Sequence, residues 1–208
     1  RATRDRRVES GGQARRECQR AADGRQLAAV ATNAPIALSS DSGKTWTARG
    51  PSLPWSSIVT SADGTRLVAA VRGGSLWTSG DSGVNWTDRA TPGDWKQLAG
   101  SADGLHLIAM EASGSLWNST DGGQTWSVLN ESTLLDATPR TDDHSVWYAI
   151  RTRTGGGTAD FLMRSTDGGA TYDTLTALPD PRTARAIAVT AADPDRVYVL
   201  HPGDEGIG

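Results

Sequence analysis

The chain has 208 residues, of which 37% are hydrophobic and 24 are glycine, so one large hydrophobic core is not expected. The formal net charge of −3 gives no general reason to expect a nucleic-acid partner, and no apolar run approaches the ~20 residues that a membrane-spanning helix needs. The single cysteine, Cys18, excludes an intrachain disulfide and a cysteine metal cluster. The sequence predicts no metal ion and no other cofactor.

The N-terminal segment, residues 1–20, is strongly basic. It holds seven arginines against three acidic residues, a local charge of +4 that leaves −7 for the remainder. Such a segment is typical of a solvated leader, or of an arm that grips an acidic partner or lipid headgroups. Because RRECQR at 15–20 is polar, no strand is predicted there.

Two sequence markers then repeat in phase along the chain. The first is a turn that we call the aspartate hairpin: SSDSGKTW at 39–46, SGDSGVNW at 79–86, STDGGQTW at 119–126 and STDGGATY at 165–172. The second begins with AADG at 21, SADG at 61 and SADG at 101, and continues with TDDH at 141 and AADP at 191. Two markers that keep one period of about 40 residues predict a repeat architecture. The predicted repeats are 21–60, 61–100, 101–140, 141–190 and a partial 191–208.

One period reads as four short strands. In the second repeat these are 55–60, 66–71, 75–79 and 86–89, separated by Ala-Asp-Gly, Gly-Gly and Asp-Ser-Gly turns. Four strands in about 40 residues are the signature of a β-propeller blade, and no helical periodicity is present. The sequence therefore predicts an all-β chain, a β-propeller of four-stranded antiparallel blades with four to five blades visible.

The fifth repeat is short. After RVYVL the chain continues as HPGDEGIG, which leaves no residues for a third and fourth strand. Because propellers avoid open edges by closing the ring, either residues 1–20 close a five-bladed ring or the chain is a piece of a larger propeller. We expect the second, because an isolated arc would expose two hydrophobic flanks.

Each residue of the aspartate hairpin has a mechanical task. The carboxylate can accept backbone N–H bonds within its own loop, the glycine two residues on supplies a positive φ, and the final aromatic ring buries apolar surface. Nothing in this pattern requires a ligand, so these positions are predicted to be structural: Asp41, Gly43, Trp46, Asp81, Gly83, Trp86, Asp121, Gly123, Trp126, Asp167, Gly169 and Tyr172.

These four hairpins resemble the Asp-box, or bacterial neuraminidase repeat, of a β-propeller family. Tyr172 and Asn85 depart from its usual Trp and Thr, and with the in-phase turns the resemblance covers roughly 21–200. It implies that the boxes lie away from the binding face. The chain is similar in style to the photosystem II assembly-factor-like and sortilin-like non-catalytic propellers of the family. We expect a secreted, periplasmic or organelle-lumenal location.

Other members of that family are glycoside hydrolases. The resemblance to sialidases would require an arginine before the first box, but residues 34–38 read APIAL, and Tyr148, Tyr172 and Tyr198 occupy repeat positions. Ordinary glycosidases need two carboxylates ~5–9.5 Å apart, and no motif singles out such a pair. No catalytic residue is predicted. We expect a non-catalytic scaffold, and a sialidase-like or xyloglucanase-like hydrolase with catalytic residues partly outside this segment stays the alternative.

Blade geometry predicts where a partner would bind. The loops between strands two and three and the connections between blades share one face, and the extra residues of the fourth repeat fall there, at 151–160 and 177–185. Loops on a rigid scaffold are where recognition usually resides, although tolerated insertions would look the same. Trp55 and Trp95 form either a stacking platform or blade packing. The partner is expected to be a protein or a carbohydrate, and the chain could belong to a larger assembly. The candidate contacts for the partner are Arg72, Glu111, Arg151, Arg153, Asp160, Arg182, Arg185, Trp55 and Trp95.

Overall fold

The protein is described here by a computed structural model that covers residues 3–5, 17–129, 134–139, 146–151, 161–167, 171–178, 186–189, 193 and 196–200. Its regular elements are β-strands, and all their pairings are antiparallel. The strands are β1 Thr3–Asp5, β2 Glu17–Arg20, β3 Leu27–Val30, β4 Thr32–Ser39, β5 Thr47–Thr60, β6 Leu67–Val71, β7 Leu76–Ser79, β8 Thr87–Asp88, β9 Trp95–Gly100, β10 Leu107–Glu111, β11 Leu116–Ser119, β12 Ser127–Leu129, β13 Leu134–Pro139, β14 Trp147–Arg151, β15 Phe161–Ser165, β16 Asp173–Ala177, β17 Ala186–Val189 and β18 Val197–Leu200.

The strands group into blades as the repeat predicts. Blade 1 contains β2, β3, β4 and the first part of β5, and blade 2 contains the last part of β5 with β6, β7 and β8. Blade 3 is β9 to β12, blade 4 is β13 to β16, and β17 with β18 begins a fifth. Three of the four strands predicted in the second repeat are confirmed to within one residue at each end, and the first, 55–60, is the last part of β5, which begins at Thr47.

The first blade corrects one prediction. Residues 17–20 form β2, which pairs with β3 through Gln19↔Ala28 and with β1 through Arg4↔Gln19. The polarity of RRECQR misled the prediction because strand pairing uses backbone groups, which every residue of this segment carries. Residues 1–2 and 6–16 lie outside the described residues, so the role assigned to 1–20 as a leader or a ring-closing segment stays a prediction.

The core lies between successive blades rather than inside one. Each sheet packs one apolar face against the next sheet, which gives four clusters of buried side chains along the chain. A pair of tryptophans recurs within this packing: Trp55 meets Trp77 edge-on at 6.1 Å, and Trp95 meets Trp117 edge-on at 5.7 Å between ring centroids. Sheet-on-sheet packing of this kind makes each blade depend on its neighbours.

Backbone hydrogen bonds also join neighbouring blades. The Ala22 N–H donates to the carbonyl of Ala62, and the Ala62 N–H donates to that of Ala102, both at 2.7 Å. These alanines occupy the same position in three consecutive turns, so equivalent residues of successive repeats are hydrogen-bonded to one another. Within the described residues, no helix is long and apolar enough to cross a membrane.

Candidate binding face

The aspartate hairpin closes on itself. The Ser39 hydroxyl donates to Asp41 Oδ1 at 2.8 Å and accepts the Gly43 N–H at 2.9 Å. Asp41 Oδ1 also accepts the Thr45 N–H at 2.9 Å, and Oδ2 accepts the Thr45 hydroxyl at 2.6 Å. Gly43 has φ of 84°, which is the positive value that the sequence predicts at this position. Both carboxylate oxygens are therefore engaged inside the turn.

The other three hairpins repeat this network. Asp121 and Asp167 accept the hydroxyl of the threonine four residues on, at 2.6 Å in each case. Asn85 replaces that threonine in the second copy, and its side-chain amide donates to Asp81 Oδ2 at 2.7 Å. Gly169 lies outside the described residues. The geometry is the one that a structural role of these aspartates requires.

These hydrogen bonds hold the carboxyl groups in their charged form. The Thr45 hydroxyl lowers the pKa of Asp41 to about 2, and the backbone N–H of Asn85 lowers the pKa of Asp81 to about 2. At Asp121 partial burial raises the pKa, but hydrogen bonds from Thr125 and Ser119 outweigh it and the pKa is lowered. A carboxyl group that acts as a general acid needs the opposite displacement.

The hairpins share a face with the Ala-Asp-Gly turns. The Ser42 N–H donates to the Arg25 carbonyl at 2.9 Å, the Ser82 N–H to the Thr65 carbonyl at 2.9 Å, and the Gly122 N–H to the Leu105 carbonyl at 3.0 Å. We call this side, which contains the four hairpins and the turns at 23–25, 63–65 and 103–105, the aspartate face. Its carboxylates serve turns, which leaves the opposite side as the candidate binding face.

The opposite side, which we call the loop face, carries the loops 72–75 and 112–115 and the connection 89–94. The loops and the connections contact each other through backbone hydrogen bonds: Arg72 N–H to Pro54 O at 2.9 Å, Ala112 N–H to Asp94 O at 2.8 Å, and Gly93 N–H to Gly74 O at 2.9 Å. This face is consequently a set of loops locked to one another.

Trp55 and Trp95 do not form a stacking platform. They are 2% and 0% exposed and belong to the cores between blades, so neither ring presents a face to a partner. Trp95 Nε1 donates to the carbonyls of Gly74 and Thr91, both at 3.1 Å. Of the two interpretations that the sequence left open, blade packing is the one that the structure supports, and the Trp95 indole N–H helps to lock the loop face.

The polar candidates of the loop face fall into two groups. Arg72 is exposed, and Glu111 is half-buried with its Oε2 accepting the Ser113 hydroxyl at 3.2 Å. A Cβ added to Gly93 would lie 2.6 Å from Glu111 Oε1, so this glycine leaves room for the carboxylate. Arg151 ends β14, and its side chain is not described. The remaining candidates lie outside the described residues: Arg153, Asp160, Arg182 and Arg185.

Sequence reasoning missed a groove on the aspartate face, between blades 1 and 2. It encloses about 210 Å³ and is lined in part by Leu38, Arg49 and Val84. In blade 2 the equivalent arginine, Arg89, donates to the Thr78 hydroxyl at 2.7 Å, whereas Leu38 offers Arg49 no such acceptor. Aligning positions 38 and 78 would have revealed this difference. Among the described residues no cluster of three His, Cys, Asp or Glu side chains could hold a metal ion.

No protein-family profile and no curated protein sequence matches the chain. Solved structures match its fold. The glycoside hydrolase 74 xyloglucanase from Xanthomonas campestris aligns with a TM-score of 0.63 and 19% identity, over 86% of this chain and 34% of that one. YCF48 from Cyanidioschyzon merolae gives 0.59 and 18%, over 88% and 62%. YCF48 bound to a D1 peptide gives 0.61 and 14%, over 97% and 64%.

These similarities establish the architecture and no more. The chain spans a third of the xyloglucanase and less than two thirds of the YCF48 chains, at identities below one fifth. With the antiparallel four-stranded sheets, they show that this is an all-β chain built as a β-propeller. Structures of this architecture belong to a hydrolase and to a peptide-bound protein, so the fold alone does not select a function.

Proposed function

We propose that this propeller is a non-catalytic interaction scaffold that binds a protein partner on its loop face. The observation that carries the proposal is the construction of this face, where backbone hydrogen bonds and the buried Trp95 lock loops that expose Arg72 and Asp94. Rigid loops lose little conformational entropy when a partner binds, which favours recognition. A propeller of this kind supplies shape and charge rather than a reaction.

The chemistry of the face favours an acidic peptide segment. Five of the seven charged candidates predicted for it are arginines and two are acidic, and exposed Asp94 makes three acidic residues against five arginines. Arginine is the side chain that best pairs with carboxylates, because its planar fork can donate two parallel hydrogen bonds. The burial of Trp55 and Trp95 removes the aromatic platform that would have supported a sugar ligand. A protein partner is therefore preferred over a glycan.

The comparisons support the same class of function by analogy. YCF48 is a structural neighbour that has been solved with a D1 peptide, and we extend peptide binding to this chain as a proposal. We also propose that the four hairpins are Asp-boxes, since their internal hydrogen bonds suit a purely structural repeat. A secreted, periplasmic or lumenal location remains part of this proposal, which fractionation of the source cells would test.

The hydrolase alternative has a defined pair of groups to test. Asp94 and Glu111 lie on neighbouring elements of the loop face, because the Ala112 N–H donates to the Asp94 carbonyl. They are 17 residues apart in the sequence, and Asp94 is exposed while Glu111 is half-buried. A screen of fluorogenic glycosides should show no turnover. Turnover that is abolished by Glu111→Gln or Asp94→Asn would replace the scaffold proposal with the hydrolase.

The binding proposal is tested with arrays of short peptides probed by the full chain. We expect bound peptides to be enriched in Asp and Glu, with affinity falling as salt screens the charges. Joint replacement of Arg72, Arg151 and Arg153 by Ser should weaken binding at least tenfold without changing the melting temperature. Arg25→Ser is the matched control, because Arg25 is exposed on the aspartate face. Equal binding by all three proteins would remove the loop face as the site.

A further inference from the structure

The groove on the aspartate face lies between two four-stranded blades, and every residue that lines it belongs to the described segment 17–129. Its volume of about 210 Å³ is that of roughly seven water molecules at ~30 Å³ each. Pockets for drug-sized ligands are larger, about 300–1,000 Å³. The groove is therefore of a size that suits a small molecule.

One wall of the groove comes from the third and fourth strands of blade 1. On these strands Leu38 pairs with Thr47, and Ile36 pairs with Arg49. Paired residues share a face of the sheet, as do residues two apart on one strand, so all four side chains lie on the same face. This face is turned toward blade 2, because Ile36 belongs to the same core cluster as Leu67 of blade 2.

The other wall comes from blade 2. It includes the buried Leu67, the exposed Ser82 and Val84, which is 54% exposed. The two blades come close together at Gly83, where an added Cβ would overlap the Leu38 side chain. The groove thus combines apolar side chains with hydroxyl groups.

Arg49 is the one charged residue among those that line the groove. Its equivalent in blade 2, Arg89, is half-buried, and its Nε donates to the Thr78 hydroxyl at 2.7 Å. Arg49 is exposed, and in the described part of the chain no hydrogen bond or ion pair engages its guanidinium. Since a guanidinium has five N–H donors and no acceptor, Arg49 gives the groove free donors for an anionic ligand.

We propose that this groove binds a small organic carboxylate. The carboxylate pairs with Arg49, whose planar fork can donate two parallel hydrogen bonds to it, and a short apolar tail lies against Leu38 and Val84. Asp41 and Asp81 belong to the adjacent hairpins, but neither lines the groove, and each is hydrogen-bonded within its own turn. The site is on the opposite side from the loop face and does not depend on the function proposed for that face.

Titration of the isotope-labelled chain with isovalerate, followed by amide NMR shifts, tests the proposal. We expect saturable shifts at groove residues such as Thr47, Ser82 and Val84. Arg49→Gln should weaken binding at least tenfold, because it removes the charged partner of the carboxylate. Arg89→Gln is the matched control and should bind like the native chain, since Arg89 does not line the groove.

A second variant rebuilds the arrangement of blade 2 in blade 1. Leu38→Thr gives Arg49 the acceptor that Thr78 provides for Arg89, and it shortens the apolar wall. Both changes should weaken isovalerate binding, again at least tenfold. Circular dichroism checks that each variant keeps its β-sheet. If Leu38→Thr does not fold, Arg49→Gln decides the test alone, because Arg49 is exposed.

Two further ligands separate the charge from the tail. Acetate keeps the carboxylate without the tail, and isoamyl alcohol keeps the tail without the charge, so each should bind at least tenfold more weakly than isovalerate. Equal affinity for acetate would overturn the proposal, because it would reduce the site to an ordinary exposed cation. Unchanged binding by Arg49→Gln would also overturn it, as would shifts that are absent from the native chain or lie outside the groove.

Discussion

The aromatic residue of the aspartate hairpin should join successive blades, and Trp46 and Trp86 form a matched pair that tests this. Both indoles make the same hydrogen bond, from Trp46 Nε1 to the Gly43 carbonyl at 3.1 Å and from Trp86 Nε1 to the Gly83 carbonyl at 3.0 Å. Their surroundings differ. Trp46 is 45% exposed, whereas Trp86 packs into the core between blades 1 and 2, with its centroid 6.4 Å from that of Trp55.

Replacing each indole by alanine removes the shared hydrogen bond, so the difference between the two losses reports packing. The additional buried surface of Trp86, roughly 50–100 Å², is worth about 1.2–2.5 kcal/mol at ~25 cal/mol per Å². Its tilted contact with Trp55 adds roughly 0.5–1 kcal/mol. We therefore expect Trp86→Ala to lower the free energy of unfolding by about 2–3 kcal/mol more than Trp46→Ala does.

Urea unfolding followed by far-ultraviolet circular dichroism measures this difference. Equal losses for Trp46→Ala and Trp86→Ala would refute the reasoning, because they would mean that the ring stabilises only its own hairpin. A larger loss for Trp46→Ala would mean that its exposed ring is covered in solution.

Three further predictions concern the scaffold. The folded pKa of Asp81, about 2, lies below its ordinary value of 3.8. Its contribution to stability is therefore complete above pH 3.8 and is lost as pH falls through about 2. Melting temperatures measured across this pH range should show the loss, and Asp81→Asn should make the melting temperature depend less on pH. Gly83 has φ of 81° and lies against the Leu38 side chain of blade 1, whereas Gly73 has φ of 63° and open space around it. In urea unfolding, Gly83→Ala should lower the free energy of unfolding by about 2–4 kcal/mol and Gly73→Ala by about 1 kcal/mol. The buried Ser57 hydroxyl accepts the Leu98 N–H of the next blade at 3.0 Å; Ser57→Ala should cost about 1–3 kcal/mol, and a loss near zero would mean that water replaces the hydroxyl.

The two faces of the propeller satisfy their backbone groups in different ways. On the aspartate face, carboxylates and hydroxyls satisfy backbone groups of the turns, as in the pair Ser61 and Asp63, where the Thr65 N–H also donates to the carboxylate at 2.9 Å. On the loop face, backbone groups satisfy one another, so side chains such as Arg72 are left to meet solvent or a partner. This division explains why the most regular residues of the sequence need not be its functional ones.

The hairpins were predictable because their interactions are local. Every hydrogen bond in the first hairpin joins residues at most four apart, among Ser39, Asp41, Gly43 and Thr45. The eight residues of the motif therefore contain every donor and acceptor of the network. Strand β2 was missed because its interactions are not local. Its backbone pairs with β3, and the polarity of its side chains does not indicate that pairing.

The candidate site was predictable only in part. The sequence indicated which loops share a face, and the backbone contacts at Arg72 and Ala112 agree with it. It left Trp55 and Trp95 between two interpretations, because a tryptophan at the start of a strand has the same local sequence whether its ring meets solvent or a neighbouring sheet. The difference between Arg49 and Arg89 is visible in the sequence only as Leu38 against Thr78, and it acquires a meaning once the strand beside each arginine is known.

By itself, the sequence determined that this chain is a propeller of four-stranded blades, that its recurring aspartates can satisfy their own turns, and which loops lie together. Those properties follow from period and from contacts a few residues apart. Only the tertiary structure decided which aromatic rings are buried, as at Trp55 and Trp95, and which are exposed, as at Trp46. Burial depends on whether another sheet, a whole repeat away in the sequence, packs against the residue. The sequence of a repeat does not indicate whether that neighbouring sheet is present.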